Sequence, residues 1–165
     1  MTTLTDKILN AVKNLITENK LPHAILLVGK NQNFIEQYIN LYGNLLLNTD
    51  KIFSHLDFLH IEPYGKSWEI KIEQIREAII FSQKSPKIAQ NKIIFIENAD
   101  RLNKNSANSI LKTLEEPTPN TFFILATDSL DNILPTIKSR CATIFLSAQN
   151  NNEQKNSIPS PLFPI

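Results

Sequence analysis

Three short stretches of the 165-residue sequence hold residue types that can do chemistry. LPTIKSRC (134–141) carries Lys138, Ser139, Arg140 and the only cysteine, Cys141. VGKNQNF (28–34) carries a glycine–lysine pair, Gly29 and Lys30. The exit of the apolar run IIFI (93–96) carries Glu97 and Asn98. A guanidinium offers several donors to phosphate oxygens and stays charged at any working pH, so lysine does not fully replace it. A helix end asks less of an arginine: its unpaired carbonyls carry partial negative charge, and cations suit the last turn. Residue types alone leave both readings of Arg140 open.

The other two stretches are tests of nucleotide chemistry. A phosphate-binding loop needs G-x-x-x-x-G-K-[ST], with glycines so that backbone amides wrap the phosphates, a lysine for their charge and a hydroxyl for magnesium. Here Asn31 stands where Ser or Thr is required, and the first glycine position is Ala24, inside an apolar run. Gly29 and Lys30 therefore read as a turn with an incidental GK pair. An ATP-hydrolysing site also needs an Asp, then often a catalytic Glu, at a strand exit to hold metal and orient water. Glu97 could hold a metal, but Asn98 cannot be a general base, and both read as a solvated turn. Hydrolysis by this chain is not expected, and no cofactor or bound metal is called for.

Composition narrows the remaining classes. Hydrophobic content of 42% with 20% charged residues describes a globular chain long enough for one ordinary domain. Seventeen basic and sixteen acidic residues leave a net charge of +1, without the basic surplus that gripping a phosphate backbone requires. A single cysteine makes neither an internal disulfide nor a cysteine-based zinc site, and suits a reducing compartment. His23, His55 and His60 do not fall at metal-ligand spacing. No apolar stretch approaches the roughly 20 residues of a membrane span, and MTTLTDKILN, with its polar start, is not a signal peptide. The expectation is a soluble, cytoplasmic protein.

The elements that must position these residues alternate in type. Leu4, Ile8, Val12, Leu15 and Ile16 recur at helical spacing, with Thr3 and Asp6 as candidate caps. AILLV (24–28) is an apolar run of the kind buried on both sides of a sheet. A second helix runs through Phe34, Ile35, Tyr38, Ile39, Leu41, Tyr42 and Leu45, followed by a weak strand FLHI (58–61). Ile72, Ile75, Ile79 and Ile80 mark a third helix ending before Pro86, and IIFI is a strong strand. A fourth helix, capped by Asn103 or Asn105, carries Ala107, Ile110, Leu111 and Leu114 and stops before Pro117. FFILAT (122–127), a short helix with Ile133, Leu134 and Ile137, and a last strand ATIFL (142–146) complete the series. Such alternation predicts a parallel five-stranded sheet with helices on both faces, whose ligands would lie beyond the carboxyl ends of its strands. The predicted division is an N-terminal helix at 1–20, an α/β core at 21–146 and an Asn/Gln-rich, Pro-broken tail at 147–165 without a fold of its own.

ADRL (99–102), ANSILKTLEEP (107–117), FFILAT and LPTIKSRC resemble, in order and spacing, the core of bacterial DNA polymerase III clamp-loader subunits of the AAA+ superfamily. LPHAILLVG (21–29), HLDFLHIEP (55–63) and IKIEQIREA (70–78) extend the resemblance over nearly all of 20–146. An SRC motif without a phosphate loop is similar to the delta-prime type. The resemblance implies a P-loop NTPase-like fold and a non-hydrolysing subunit that offers Arg140 in trans, as an arginine finger, to the ATP of a neighbouring motor during DNA replication. It implies gamma/tau-type motor and delta subunits as partners, with the sliding clamp and primed DNA reached through the assembly. Ser139 and Cys141 would set the local turn and packing, and Thr127 matches a nucleotide-sensing position expected to be structural here. Glu115 and Glu116 oppose the dipole at a helix C-terminus, which can mark an interface, although two solvated glutamates is the simpler reading. LLNTDKIFS (46–54) lacks the family's four-cysteine zinc module, Leu56 replaces a usual proline, and the helical lid and collar are not expected in this chain. The alternatives are a truncated remnant that no longer assembles and, with less support, an ATP-hydrolysing motor.

Overall fold

The run AILLV has no polar position, and all five of its residues are buried in strand β1 (Ala24–Val28). The structure, a computed structural model, describes residues 4–146, with side chains for Asp6 and residues 10–146. The elements follow as α1 (Leu4–Thr17), β1, α2 (Gln32–Leu47), β2 (Phe58–Ile61), α3 (Ile72–Gln83), β3 (Lys92–Ile96), α4 (Lys104–Glu115), β4 (Thr121–Thr127), α5 (Pro135–Lys138) and β5 (Ala142–Phe145). All strand pairs are parallel, in the order β2-β3-β4-β1-β5.

Alternation along the central strands builds two cores. Ile25 and Leu27 of β1, Ile93 and Phe95 of β3, and Ile124 and Ala126 of β4 pack with Val12 of α1 and with Ile35, Tyr38, Ile39 and Tyr42 of α2. Leu26, Ile94, Ile96, Phe123 and Leu125 face the other way, onto Ile75 and Ala78 of α3 and Ala107, Ile110 and Leu114 of α4. The sheet is thus covered on both faces, which is why its inner strands read as unbroken apolar runs rather than as an alternation.

The predicted elements form with few shifts. Asn103, not Asn105, caps α4, its Oδ1 accepting from the Ser106 N–H at 2.9 Å. The segment expected as one short helix is a 3-10 turn at Leu130–Asn132 followed by α5, whose first residue is Pro135. Ile80 is 52% exposed; it lies too far round the helix from Ile75 to share the stripe that reaches the sheet. Lys92, although charged, is buried at the start of β3, where its Nζ donates to the Phe81 and Ser82 carbonyls, both at 2.7 Å, and to that of Lys84. The Thr3 cap and the tail predicted from 147 lie outside the described residues.

Candidate functional site

Arg140 lies between the end of α5 and the start of β5. Pro135 opens α5, Ser139 closes it, and the Arg140 N–H still bonds back to the Ile137 carbonyl at 3.0 Å. Its guanidinium is shared between two elements. Nη1 donates to the Thr136 carbonyl at 2.8 Å, and Nη2 donates to Glu115 Oε2, at the end of α4, at 3.2 Å. Nε is buried with no hydrogen-bond partner among the described residues. The helix-end role foreseen for this cation is therefore present, through Thr136.

Glu115 is solvated as read, its side chain 62% exposed, and it also pairs with Arg140. The packing of α4 against α5 is what brings these two residues together. Glu116 closes α4, its N–H bonding the Lys112 carbonyl, and lines a groove between α3 and α4. Ser139 Oγ donates to the Thr136 carbonyl at 3.1 Å. Cys141 packs against the core on the α3/α4 side, and burial pushes its thiol up to about 12. That side chain packs rather than reacts.

Beyond the carboxyl ends of β1, β3 and β4 lies a cleft of about 160 Å3, lined by Gly29, Lys30, Gln32, Glu97, Thr127 and Asp128 among others. Pockets for small organic ligands usually enclose roughly 300–1,000 Å3. Only Gly29, Lys30 and Asn31 link β1 to α2. Asn31 spends its side chain on the helix start, accepting from the Asn33 N–H at 3.0 Å. Gly29 is where it is for a reason unrelated to phosphate: a Cβ there would stand 2.8 Å from the Leu146 carbonyl oxygen. The Thr127 hydroxyl lies 3.1 Å from both Asp100 Oδ1 and the Ser129 carbonyl, and its one proton serves one of them at a time.

Glu97 corrects the expectation of a solvated turn. Its side chain is only 17% exposed; Oε2 accepts from His60 Nε2 at 2.8 Å and Oε1 from Gln32 Nε2 at 2.7 Å. Asn98 sits at a φ of 51°, a left-handed position that asparagine tolerates. A ligand atom from each of His60, Glu62 and Glu97 lies within 4.8 Å of the others. Spacing along the chain could not group them, because the parallel pairing of β2 with β3 sets Ile61 beside Ile96. A β2–β3 pairing assumed from the sequence would have put the two strand exits side by side.

The family described as DNA polymerase III, delta subunit, matches residues 4–150. The chain belongs to this family. A DNA polymerase III subunit delta' of Haemophilus influenzae is 38% identical over 97 residues, covering 59% of this chain and 29% of that protein. The subunit delta' of Bacillus subtilis is 31% identical over 159 residues, covering 87% of this chain and 48% of that protein. This family member therefore spans less than half the length of these curated relatives. Among solved structures, a DNA polymerase III gamma subunit-related protein of Thermotoga maritima superposes with a TM-score of 0.72 at 29% identity, covering 86% of this chain and 46% of that one. The fold is the P-loop NTPase-like core of the AAA+ class.

Proposed function

We propose that the chain is a delta-prime-like, non-hydrolysing component of a DNA polymerase III clamp loader, acting in the cytoplasm in DNA replication. The observation that carries this reading is the pairing of a three-residue β1–α2 link with a partly exposed arginine at the α5–β5 junction. A loop that short leaves few amides to wrap phosphates. Arg140, in contrast, offers a planar fork at a surface turn. Presented to a neighbouring motor subunit, that fork would stabilise negative charge on the transferring γ-phosphoryl group. Arg140 is then the catalytic residue in trans, Ser139 and Cys141 hold its turn, and Glu115 and Glu116 lie at the same interface. Gly29, Lys30, Glu97, Asn98 and Thr127 occupy a vestigial nucleotide site.

Gamma/tau-type motor and delta subunits are the direct partners in this reading, and the sliding clamp and primed DNA are reached through them. In this reading residues 21–146 form the core, and α1 precedes it and packs on it through Val12. Among the described residues no helix is long and apolar enough to cross a membrane. Size-exclusion chromatography with the same organism's motor and delta subunits tests assembly. Co-elution in a stoichiometric complex is expected; separate elution at concentrations well above micromolar contradicts the reading, and ATP binding by the isolated chain would point instead to a motor.

A further inference from the structure

The rim of the cleft where β2 and β3 end carries a cluster that the clamp-loader reading does not use. We propose that His60, Glu62 and Glu97 form a binding site for a transition-metal dication of the Zn2+ class. One ligand atom from each residue lies within 4.8 Å of the other two. Tetrahedral zinc, with bonds near 2.0–2.1 Å, holds neighbouring ligand atoms about 3.3 Å apart. Reaching that geometry takes adjustment of the exposed Glu62 side chain, and His60 Nε2 and Glu97 Oε2 must part slightly from their 2.8 Å.

The local charge favours a cation. Among the described residues no lysine or arginine pairs with Glu62 or Glu97; His60 is the ion-pair partner recorded for Glu97. Two carboxylates this close repel one another, and a dication offsets both. The surroundings are those of an oriented ligand set. Gln32 fixes the second oxygen of Glu97 at 2.7 Å, and the His60 ring stacks on Phe95 at 5.0 Å with Phe53 edge-on at 5.6 Å. Outer contacts of this kind orient metal ligands and tune affinity.

Donor chemistry selects the metal class. An imidazole nitrogen with carboxylate oxygens suits zinc and its neighbours, whereas magnesium prefers oxygen alone and keeps its waters. In the metal-free state the carboxylate can only accept, so His60 Nε2 carries the shared proton. Coordination through Nε2 needs the ring proton on Nδ1, so metal entry exchanges the Nε2–H···Oε2 hydrogen bond for two metal–ligand bonds. Three protein ligands leave one tetrahedral position open for water. The site lies on β2, β3 and the start of α2, and stands whether or not Arg140 acts in trans.

Isothermal titration of the full 165-residue chain with ZnCl2, and separately with MgCl2, tests the site. One Zn2+ per chain is expected, with Mg2+ at least tenfold weaker. His60→Ala and Glu97→Gln should each abolish stoichiometric binding, and Gln32→Ala, which removes only the support of Glu97, should weaken it by about 10- to 100-fold. In the wild-type chain Zn2+ should broaden or shift the His60 imidazole signals in NMR spectra, which also serves if a variant folds poorly. Absence of Zn2+ binding, Mg2+ bound as tightly as Zn2+, wild-type affinity retained in His60→Ala, or Zn2+ perturbing His23 or His55 in place of His60 would overturn the proposal.

Discussion

Arg140 is held by a helix carbonyl on one side and a carboxylate on the other, and the two contacts differ in worth. The Thr136 carbonyl belongs to the arginine's own turn, whereas Glu115 reaches it from α4 and is mostly exposed. Exposed ion pairs contribute little, so Glu115→Gln should lower stability by no more than about 0.5 kcal/mol in urea unfolding. A loss of several kcal/mol would make the pair a structural fixture rather than one a partner's phosphate could displace. Cys141 provides a second check at this scale. With its pKa raised to about 12 by burial, its thiolate is scarce at pH 8, so a thiol reagent should label it slowly in the native chain and quickly in denaturant. Labelling at the rate of a free cysteine would contradict that packing. The sequence marked Arg140 by residue type and position. Its Glu115 partner was hidden because the contact depends on how α4 packs on α5.

At the level of elements, a buried clip ties the chain between α3 and β3. Asp57, 1% exposed, accepts from the N–H groups of Lys87, Ile88 and Ala89, while Lys92 Nζ satisfies carbonyls at the end of α3. Burial alone would raise the Asp57 pKa, but the three N–H donors and His55 outweigh it and hold it below the usual carboxylate value. Because the folded pKa is the lower one, this stabilisation is fully present above the unfolded value of about 3.9 and is lost as pH falls through the folded one. Asp57→Asn should cost about 2 kcal/mol at pH 7 and flatten the stability loss below pH 4, both measurable by urea unfolding across pH. Gly29 closes the other side of the sheet. Gly29→Ala forces a Cβ against the Leu146 carbonyl; it should cost about 1–3 kcal/mol and speed amide exchange in β5, next to Arg140. Strands β1, β3 and β4 were legible as apolar runs, because a doubly covered sheet leaves no polar alternation, whereas β2, at the sheet edge with Leu59 and His60 half-buried, read only weakly. The clip was not, since Asp57 and Lys92 look like surface charges until the α3–β3 loop folds over them. Nor was the His60–Glu97 contact, whose partners stand 37 residues apart.

For the whole molecule, fold and family follow from the five parallel strands and the match over residues 4–150. In the proposed role, what the chain does depends on surfaces that would meet other chains. Sequence pattern exposed the α/β alternation because each element carries its own periodicity; it could not show which face meets a partner, because an interface is a property of two surfaces. If Arg140 completes a neighbour's ATP site, its loss should remove catalysis without removing the complex. The decisive measurement is ATP turnover by motor and delta subunits reconstituted with wild-type chain or with Arg140→Ala, each complex first shown by size exclusion to contain the chain. The expected result is equal assembly with the turnover gained on adding the wild-type chain abolished, since such an arginine is worth about 10³-fold or more at its site. Equal turnover from the two assembled complexes would contradict the assignment of Arg140 as the residue that acts in trans.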